Sequence, residues 1–318
     1  GLKFDGKDDY VAISNTSLNS IGSGDFTFEA TVNGKSSEQN THAVIFSNRQ
    51  QSSNGIMFFF HGLWGGSNYK MLAVQLGGVN YLIVDNGTFN ADILDGTCHH
   101  VAITRKSDLL SFYVDGEEFG TKTIGIGKNP TVQSPATDMW IGQDQPSNST
   151  FNGVISQVKI WNTGKDAADI NNDIGFDVIN DNLAGSWNLN DGLGQTAIDN
   201  SANNIDGELG NSPNVDNSDP TWTSVNCDVI SSLNYTNNKE NGDINTYPNP
   251  AKNEIHIDFE KNSVGNITLL NINGHSILEK KINSQYESID LDNIPSGLYI
   301  ISIEVNGIHK FEKIQITD

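Results

Sequence analysis

Arginine is almost missing from this chain of 318 residues, which has it only at Arg49 and Arg105. With 18 basic against 39 acidic residues and a net charge of −21, there is no cluster of cations to grip a phosphate backbone, which argues against nucleic acid as a partner. Proline and methionine are also scarce, at 8 and 3 residues. No run of apolar residues is long enough to span a membrane as a helix. Cysteine occurs twice, at Cys98 and Cys227, and neither has a second cysteine or a paired histidine at zinc-ligand spacing. His99 and His100 follow Cys98 directly, but adjacent strand residues point to opposite faces and cannot converge on one ion. No G-x-S-x-G, H-E-x-x-H or phosphate-binding loop is present. The first residues after Gly1 already read as a strand, so the chain is taken as a processed part of a larger exported precursor.

Short alternating segments joined by Gly, Asn, Ser, Thr and Asp fill most of the sequence, and the length suits two domains. The acidity is concentrated in the first 240 residues, with 28 acidic against 12 basic, while the remainder has 11 against 6. A solvated extracellular surface accounts for this excess; calcium binding is the sharper alternative.

The stretch 98–120 states the architecture most plainly. Val101 and Ile103 alternate with His100, Ala102 and Thr104; Leu110, Phe112 and Val114 alternate with Leu109, Ser111 and Tyr113. A period of two marks half-buried strands, and Asp115-Gly116 is the dipeptide of a tight hairpin turn. Strands are also predicted at 9–13, 26–32, 43–48, 55–60, 71–76 and 81–84, and from 139, with one helical turn at 165–175. Between the strands at 55–60 and 71–76 lies a Gly-rich loop containing His61, Trp64, Asn68 and Tyr69. Aromatic faces beside hydrogen-bonding groups suit a sugar, whose C–H face stacks on a ring while its hydroxyls need polar partners. A Trp64 folded over the edge of the core is the alternative.

The hairpin, H-H-V-A-I-T and then F-Y-V-D-G, resembles the central hairpin of laminin-G-like (concanavalin A-like) jelly rolls. F-D-G-K-D-D-Y-V at 4–11, F-T-F-E-A at 26–30 and F-N-G-V-I to I-W-N at 151–162 follow in that family's order. The resemblance implies an all-β, two-sheet jelly roll, a fold shared by lectins, adhesion modules and enzymes. The segment I-G-Q-D-Q-P-S at 141–147 is similar to the calcium loop of the pentraxins, which implies Asp144 and Gln145 as metal ligands, although Pro146 replaces a metal-binding Asp. The stretch 185–210, with its W-N-L-N-D-G and D-N-S-A-N-N, is read as the closing strands of the same domain, Asp199 capping a turn. In an exported chain Cys98 and Cys227 are candidates for a disulfide tying the tail of a 1–227 domain to the hairpin; two buried free thiols are the alternative.

Residues 228–246 have no periodicity and read as a linker. From Tyr247 six or seven short strands in about 72 residues predict a small Ig-like β-sandwich. Its motifs are Tyr247-Pro248-Asn249-Pro250, N-x-N-G-H with Gly274, Pro295-Ser296-Gly297-Leu298-Tyr299 and a terminal K-I-x-I. Residues 247–318 are similar to the C-terminal sorting domain, type A, of type IX secretion cargo. That implies a secretion shuttle and sortase as partners, and a protein secreted or held at the outer-membrane surface. Glu254, His256, Asp258 and Glu260 share one strand face like the carboxylate row of jelly-roll glycosidases, but alternation with Ile255, Ile257 and Phe259 explains them as the solvent face of an edge strand. The sequence is therefore read as non-catalytic, with a glycan or a surface protein as ligand of 1–227. An accessory domain of a polysaccharide-degrading enzyme and a spacer remain open.

Overall fold

The computed structural model describes residues 1–14, 24–39, 42–51, 54–62, 71–84, 92–124, 138–174, 182–225, 227, 244–259, 261–271, 276–305 and 308–317. The chain forms two compact units, one from 1–175 and 179–232 and the other from 176–178 and 233–318. No helix among the described residues is long and apolar enough to cross a membrane.

The first unit is a pair of eight-stranded sheets. The first sheet runs Glu117–Thr123, Leu109–Val114, Asp95–Lys106, Phe26–Lys35, Asn152–Trp161, Leu2–Asp5 and Thr221–Trp222, with Leu183–Trp187 also paired to Asn152–Trp161. The second runs Thr196–Ala197, Gly207–Leu209, Val11–Ile13, Met139–Ile141, His42–Ser47, Ile56–His61, Met71–Leu76 and Val79–Val84. Alternation decides what lies between them. Phe26, Phe28, Ala30 and Val32 point inward from one strand of the first sheet, and Ile56, Phe58 and Phe60 from one strand of the second, all into a single apolar core. Each such side chain removed from water contributes about 1.5–3 kcal/mol, which fixes the register because a slip by one residue would turn the whole set outward.

The hairpin at 98–120 forms as its sequence predicts. Asp115 and Gly116 both adopt positive φ, at 50° and 81°, the pair of conformations that a two-residue turn between right-twisted strands requires. Strand pairing continues beyond the turn to Thr123. The predicted helical turn is Ala167–Asp173, opened by a reciprocal capping box between Asp166 and Asp169. Its Asn171 donates to the Gly116 carbonyl at 3.1 Å, so the helix docks on the hairpin turn and covers part of the first sheet's outer face.

The closing stretch pairs within the same two sheets. Asp199 accepts from the backbone of Ser186, Ser201 and Ile205 and from the Ser201 hydroxyl, at 2.7–2.9 Å, which makes it the turn cap expected of it. Cys98 and Cys227 form a disulfide, with Ile174 packed beside it.

In the second unit Ile244–Tyr247, Glu254–Phe259 and Tyr286–Asp290 form one sheet, and Ser276–Ile282, Gly265–Asn271, Gly297–Val305 and Ile308–Ile316 another. Ile255, Ile257, Phe259 and Ile289 from the first meet Ile267, Leu269, Ile301, Ile303 and Ile314 from the second in one core. Two expectations change here. Glu254–Phe259 is the central strand of its sheet and not an edge, since Ile244–Tyr247 pairs along its other side; that partner is too short and polar to announce itself. The same pairing takes 244–246, read as the end of the linker, into the sandwich.

The disulfide closes a loop with a sequence separation of 129. Denatured but unreduced protein is expected to leave both thiols unlabelled, and reduction is expected to lower stability by up to about 5 kcal/mol, the chain-entropy limit for such a loop. Stoichiometric thiol labelling before reduction would contradict the pairing.

Candidate binding site at the loop end of the second sheet

The outward-facing side chains of the second sheet fall into three zones set by register. At one end His42, His61 and Met71 are cross-strand neighbours, with Val84 completing the backbone row. Next come Val44, Phe59, Ala73 and Leu82, and then Ser47, Met57, Gln75 and Asn80. The middle zone is buried although it faces away from the core: Val44, Phe59 and Ala73 are wholly inaccessible and pack with Met57 into a second apolar cluster. The centre of this face is therefore covered at Val44, Met57, Phe59 and Ala73.

The His row is different. His42 lies 4.6 Å from His61 and 5.2 Å from Phe59, ring centre to ring centre, and both histidines are half-buried. His61 Nδ1 is 2.7 Å from the Gly62 carbonyl. At this end His42 and Met71 open their strands, and His61 and Val84 close theirs. Of the residues expected to bind ligand, His61 therefore stands at the foot of the Gly-rich loop; Trp64, Asn68 and Tyr69 lie outside the described residues. His42 was not anticipated. It is 19 residues from His61 in sequence, and only the strand pairing brings them together.

The third zone answers the calcium expectation. Asp144 is fully buried, and Arg49 grips both its oxygens, Nε donating to Oδ1 at 2.9 Å and Nη2 to Oδ2. Ser47 Oγ adds a bond at 2.6 Å and the Ser147 backbone one at 3.2 Å. Arg49 also donates to Gln75, which in turn donates to Asn80 at 2.7 Å. Burial alone would raise the Asp144 carboxyl, but bonds from Arg49, Ser147 and Ser47 and the guanidinium charge overcome it and hold the group below its ordinary value. A calcium ion would have to displace the guanidinium, so in this structure Asp144 closes an ion pair where the loop resemblance implies a metal ligand. Gln145 turns away, its amide 3.5 Å from the Asp138 carbonyl. Among the described residues the acids whose oxygens gather within 4.8 Å are Asp5, Asp8 and Asp9. Asp5 and Asp9 already serve the turn at Gly6, capping the Lys7 and Asp5 amides at 2.8 and 2.7 Å.

A stacked aromatic pair, Tyr10 and Trp140 at 3.9 Å, sits on the same sheet four strands from its Val79–Val84 edge. Sequence reasoning passed over it, because the partners are 130 positions apart.

A family model described as the concanavalin A-like lectin/glucanases superfamily matches residues 5–171. The chain belongs to that superfamily. Residues 245–317 match the secretion system C-terminal sorting domain, so this concanavalin A-like protein carries an export tail that directs it to secretion or to surface attachment. Among solved structures it is similar to a putative carbohydrate binding protein from Bacteroides ovatus, with 19% identity and a TM-score of 0.47 over 66% of this chain. The chain spans 58% of the length of that protein. It is also similar to a heptameric SAP-like pentraxin from Limulus polyphemus, with 15% identity, a TM-score of 0.39, and 54% and 79% of the two chains covered. A third is the IT-sialidase CBM40 of Ruminococcus gnavus, with 10% identity, a TM-score of 0.42, and 54% and 95% covered. No curated protein matches the chain.

The sorting motifs of the concanavalin A-like protein have structural duties. Asn249 Oδ1 accepts from the Gln315 amide at 2.9 Å, and the Ala251 and Thr317 amides bond the Gln315 and Ala251 carbonyls at 2.8 Å. Tyr247-Pro248-Asn249-Pro250-Ala251 therefore clasps the last strand. The Tyr299 hydroxyl donates to the Pro295 carbonyl at 2.9 Å, and Gly297 pairs with Ile316. Tyr247 donates to Asp258 at 2.8 Å, and its ring lies 5.5 Å from His256, which the Tyr286 hydroxyl also contacts. Gly274 lies outside the described residues.

Breaking the Arg49–Asp144 pair gives a test with a pH signature. Arg49→Met leaves a buried carboxylate unpaired and is expected to cost about 3–5 kcal/mol at neutral pH. Because the folded carboxyl sits below its unfolded value, its contribution is full above about pH 4 and is lost as pH falls through the folded value. The gap between wild type and variant should narrow in acid denaturation series; a gap constant from pH 7 to pH 3 would show that the pair is not what the substitution removes.

Proposed function

We propose that the protein is an exported, non-catalytic carbohydrate-binding module, held at the outer-membrane surface or released, whose ligand site is the loop end of the second sheet. The observation that carries this reading is the ring group His42, Phe59 and His61 at the foot of the loop bearing Trp64, Asn68 and Tyr69. Imidazoles supply hydrogen bonds to hydroxyls, and an indole and a phenol supply faces for the apolar side of a pyranose. Membership of a superfamily named for lectins and glucanases agrees with a sugar ligand.

The non-catalytic part rests on Asp144, which bonds Ser47, and on Glu208, in the cross-strand row that includes Ser47; Asp138, Asp216 and Asp219 act on Tyr10, away from the histidine row. Glycoside hydrolysis uses two carboxylates, about 5 Å apart for retention and about 6.5–9.5 Å for inversion. Among the described residues Asp144 is neutralised by Arg49. Glu208, in the same cross-strand row, lies three strands from Ser47, roughly 14 Å at ordinary strand spacing. Export proceeds through the type IX shuttle and sortase, which read 247–318.

The test is retention on a panel of immobilised bacterial and plant polysaccharides. Wild type is expected to be retained on at least one, with Trp64→Ala weakening retention about tenfold or more, near 1.4 kcal/mol, at an unchanged melting temperature. Equal retention of Trp64→Ala, or its failure to fold because Trp64 is a core residue, would overturn the assignment of the site.

A further inference from the structure

The outer face of the first sheet carries ionisable side chains that the proposed ligand site does not use. Glu29, His100 and Lys159 point outward from three neighbouring strands, and each is 1% exposed. Helix Ala167–Asp173 lies over this face, with Ile170 packed against Ala102 and Tyr113. Lys165, just before the helix, and Asp173, its last residue, are 8% and 4% exposed.

Lys165 Nζ contacts Asp173 Oδ2 directly and lies 3.7 Å from Glu29 Oε1. Apart from Lys165, neither of those two oxygens has a hydrogen-bond partner among the described residues. The remaining neighbours are committed elsewhere. His100 Nε2 is 3.1 Å from Glu29 Oε2, Lys159 donates to the Asp173 main-chain carbonyl at 2.9 Å, and the Trp161 ring lies 3.1 Å from Lys165 Nζ. An amine, a carboxyl carbon and a second carboxylate are thus held together in a buried cluster, the side chain of Asp173 leaning back along the helix toward Lys165 as helical Cβ geometry dictates. Burial, aided by Lys159 and opposed by Glu29 and Asp169, pulls the Lys165 ammonium down to about 8, which makes its neutral, nucleophilic form accessible. Burial would raise the Glu29 carboxyl, but His100, Lys159 and Lys165 overcome it and hold the group at about 2, so Glu29 is present as the carboxylate that receives the proton and holds it only in transit.

We propose that Lys165 Nζ and Asp173 Cγ become joined by an intramolecular amide, with Glu29 carrying the protons. Glu29 takes one proton from the Lys165 ammonium and passes it to the Asp173 carboxylate. The freed nitrogen lone pair attacks Cγ, forming the N–C bond. Glu29 then moves a second proton from that nitrogen to an Asp173 oxygen, the C–O bond breaks, and water leaves. One ammonium and one carboxylate become one amide and one water; Glu29 ends as it began, and no oxidant or co-reactant is needed. The dry surroundings favour the product, because a neutral amide is far less costly to bury than two ions. The bond would staple the helix to itself beside Ile174 and the Cys98–Cys227 disulfide, a second covalent tie on the face away from the ligand site.

The experiment is the intact mass of the full chain, denatured and reduced. The amide predicts a mass lower than the sequence sum by one water, about 18 Da. Peptide fragmentation should place the loss between Lys165 and Asp173, with trypsin no longer cutting after Lys165. Glu29→Gln, Lys165→Arg and Asp173→Ala should each restore the full mass. Full mass in the wild type would overturn the proposal. So would a loss of water that maps to an Asp-Gly succinimide such as Asp115-Gly116, or one that persists in Glu29→Gln. Should Glu29→Gln fail to fold, the wild-type mass and its fragment map decide alone.

Discussion

The dry interface between the two eight-stranded sheets is the constraint from which the rest follows. Phenylalanines on both sheets meet, Phe28 of the first lying within ring-contact distance of Phe46 and Phe58 of the second, so neither sheet can shift register without exposing its aromatic row. Once register is fixed, every second residue is forced outward. Outward positions carry the groups with chemistry: the histidine row and Arg49 partners on one sheet, Glu29, His100 and Lys159 on the other.

Both outward faces are closed in part, and differently. On the first sheet the helix lies over a cluster of ionisable groups, with the disulfide beside its last turn. On the second, an apolar patch around Phe59 is covered, leaving the end where His61 and Val84 close their strands. With both faces closed in part, the proposed site falls to the loops, which are also where binding residues tolerate change without loss of the scaffold. The sorting tail adds its own closure, its Y-P-N-P segment clasping the final strand so that the terminal edge is tied into the sandwich.

Local pattern made much of this legible. Alternation and Asp115-Gly116 marked the hairpin, one helical turn was legible at 165–175, and the proline-rich opening of the tail marked a change of unit. What stayed hidden depends on pairs far apart in sequence. Arg49 and Asp144 are separated by 95 residues, and Glu29 and His100 by 71. No periodicity announces such partners, and a resemblance to a calcium loop made Asp144 look free for a cation when Arg49 already held it. Glu254–Phe259 read as an edge for the same reason: the strand that flanks it, Ile244–Tyr247, has too few apolar residues to be seen alone.

The central claim is that ligand meets the protein at the loop end of the second sheet. Amide hydrogen exchange of the full chain, with and without an oligosaccharide from a polysaccharide that retains it, locates the contact. Slowed exchange confined to 42–44, 59–71 and 84–91 is the predicted result. Slowing around Tyr10 and Trp140, or within 247–318, with the His42 and His61 strands unchanged, would contradict it.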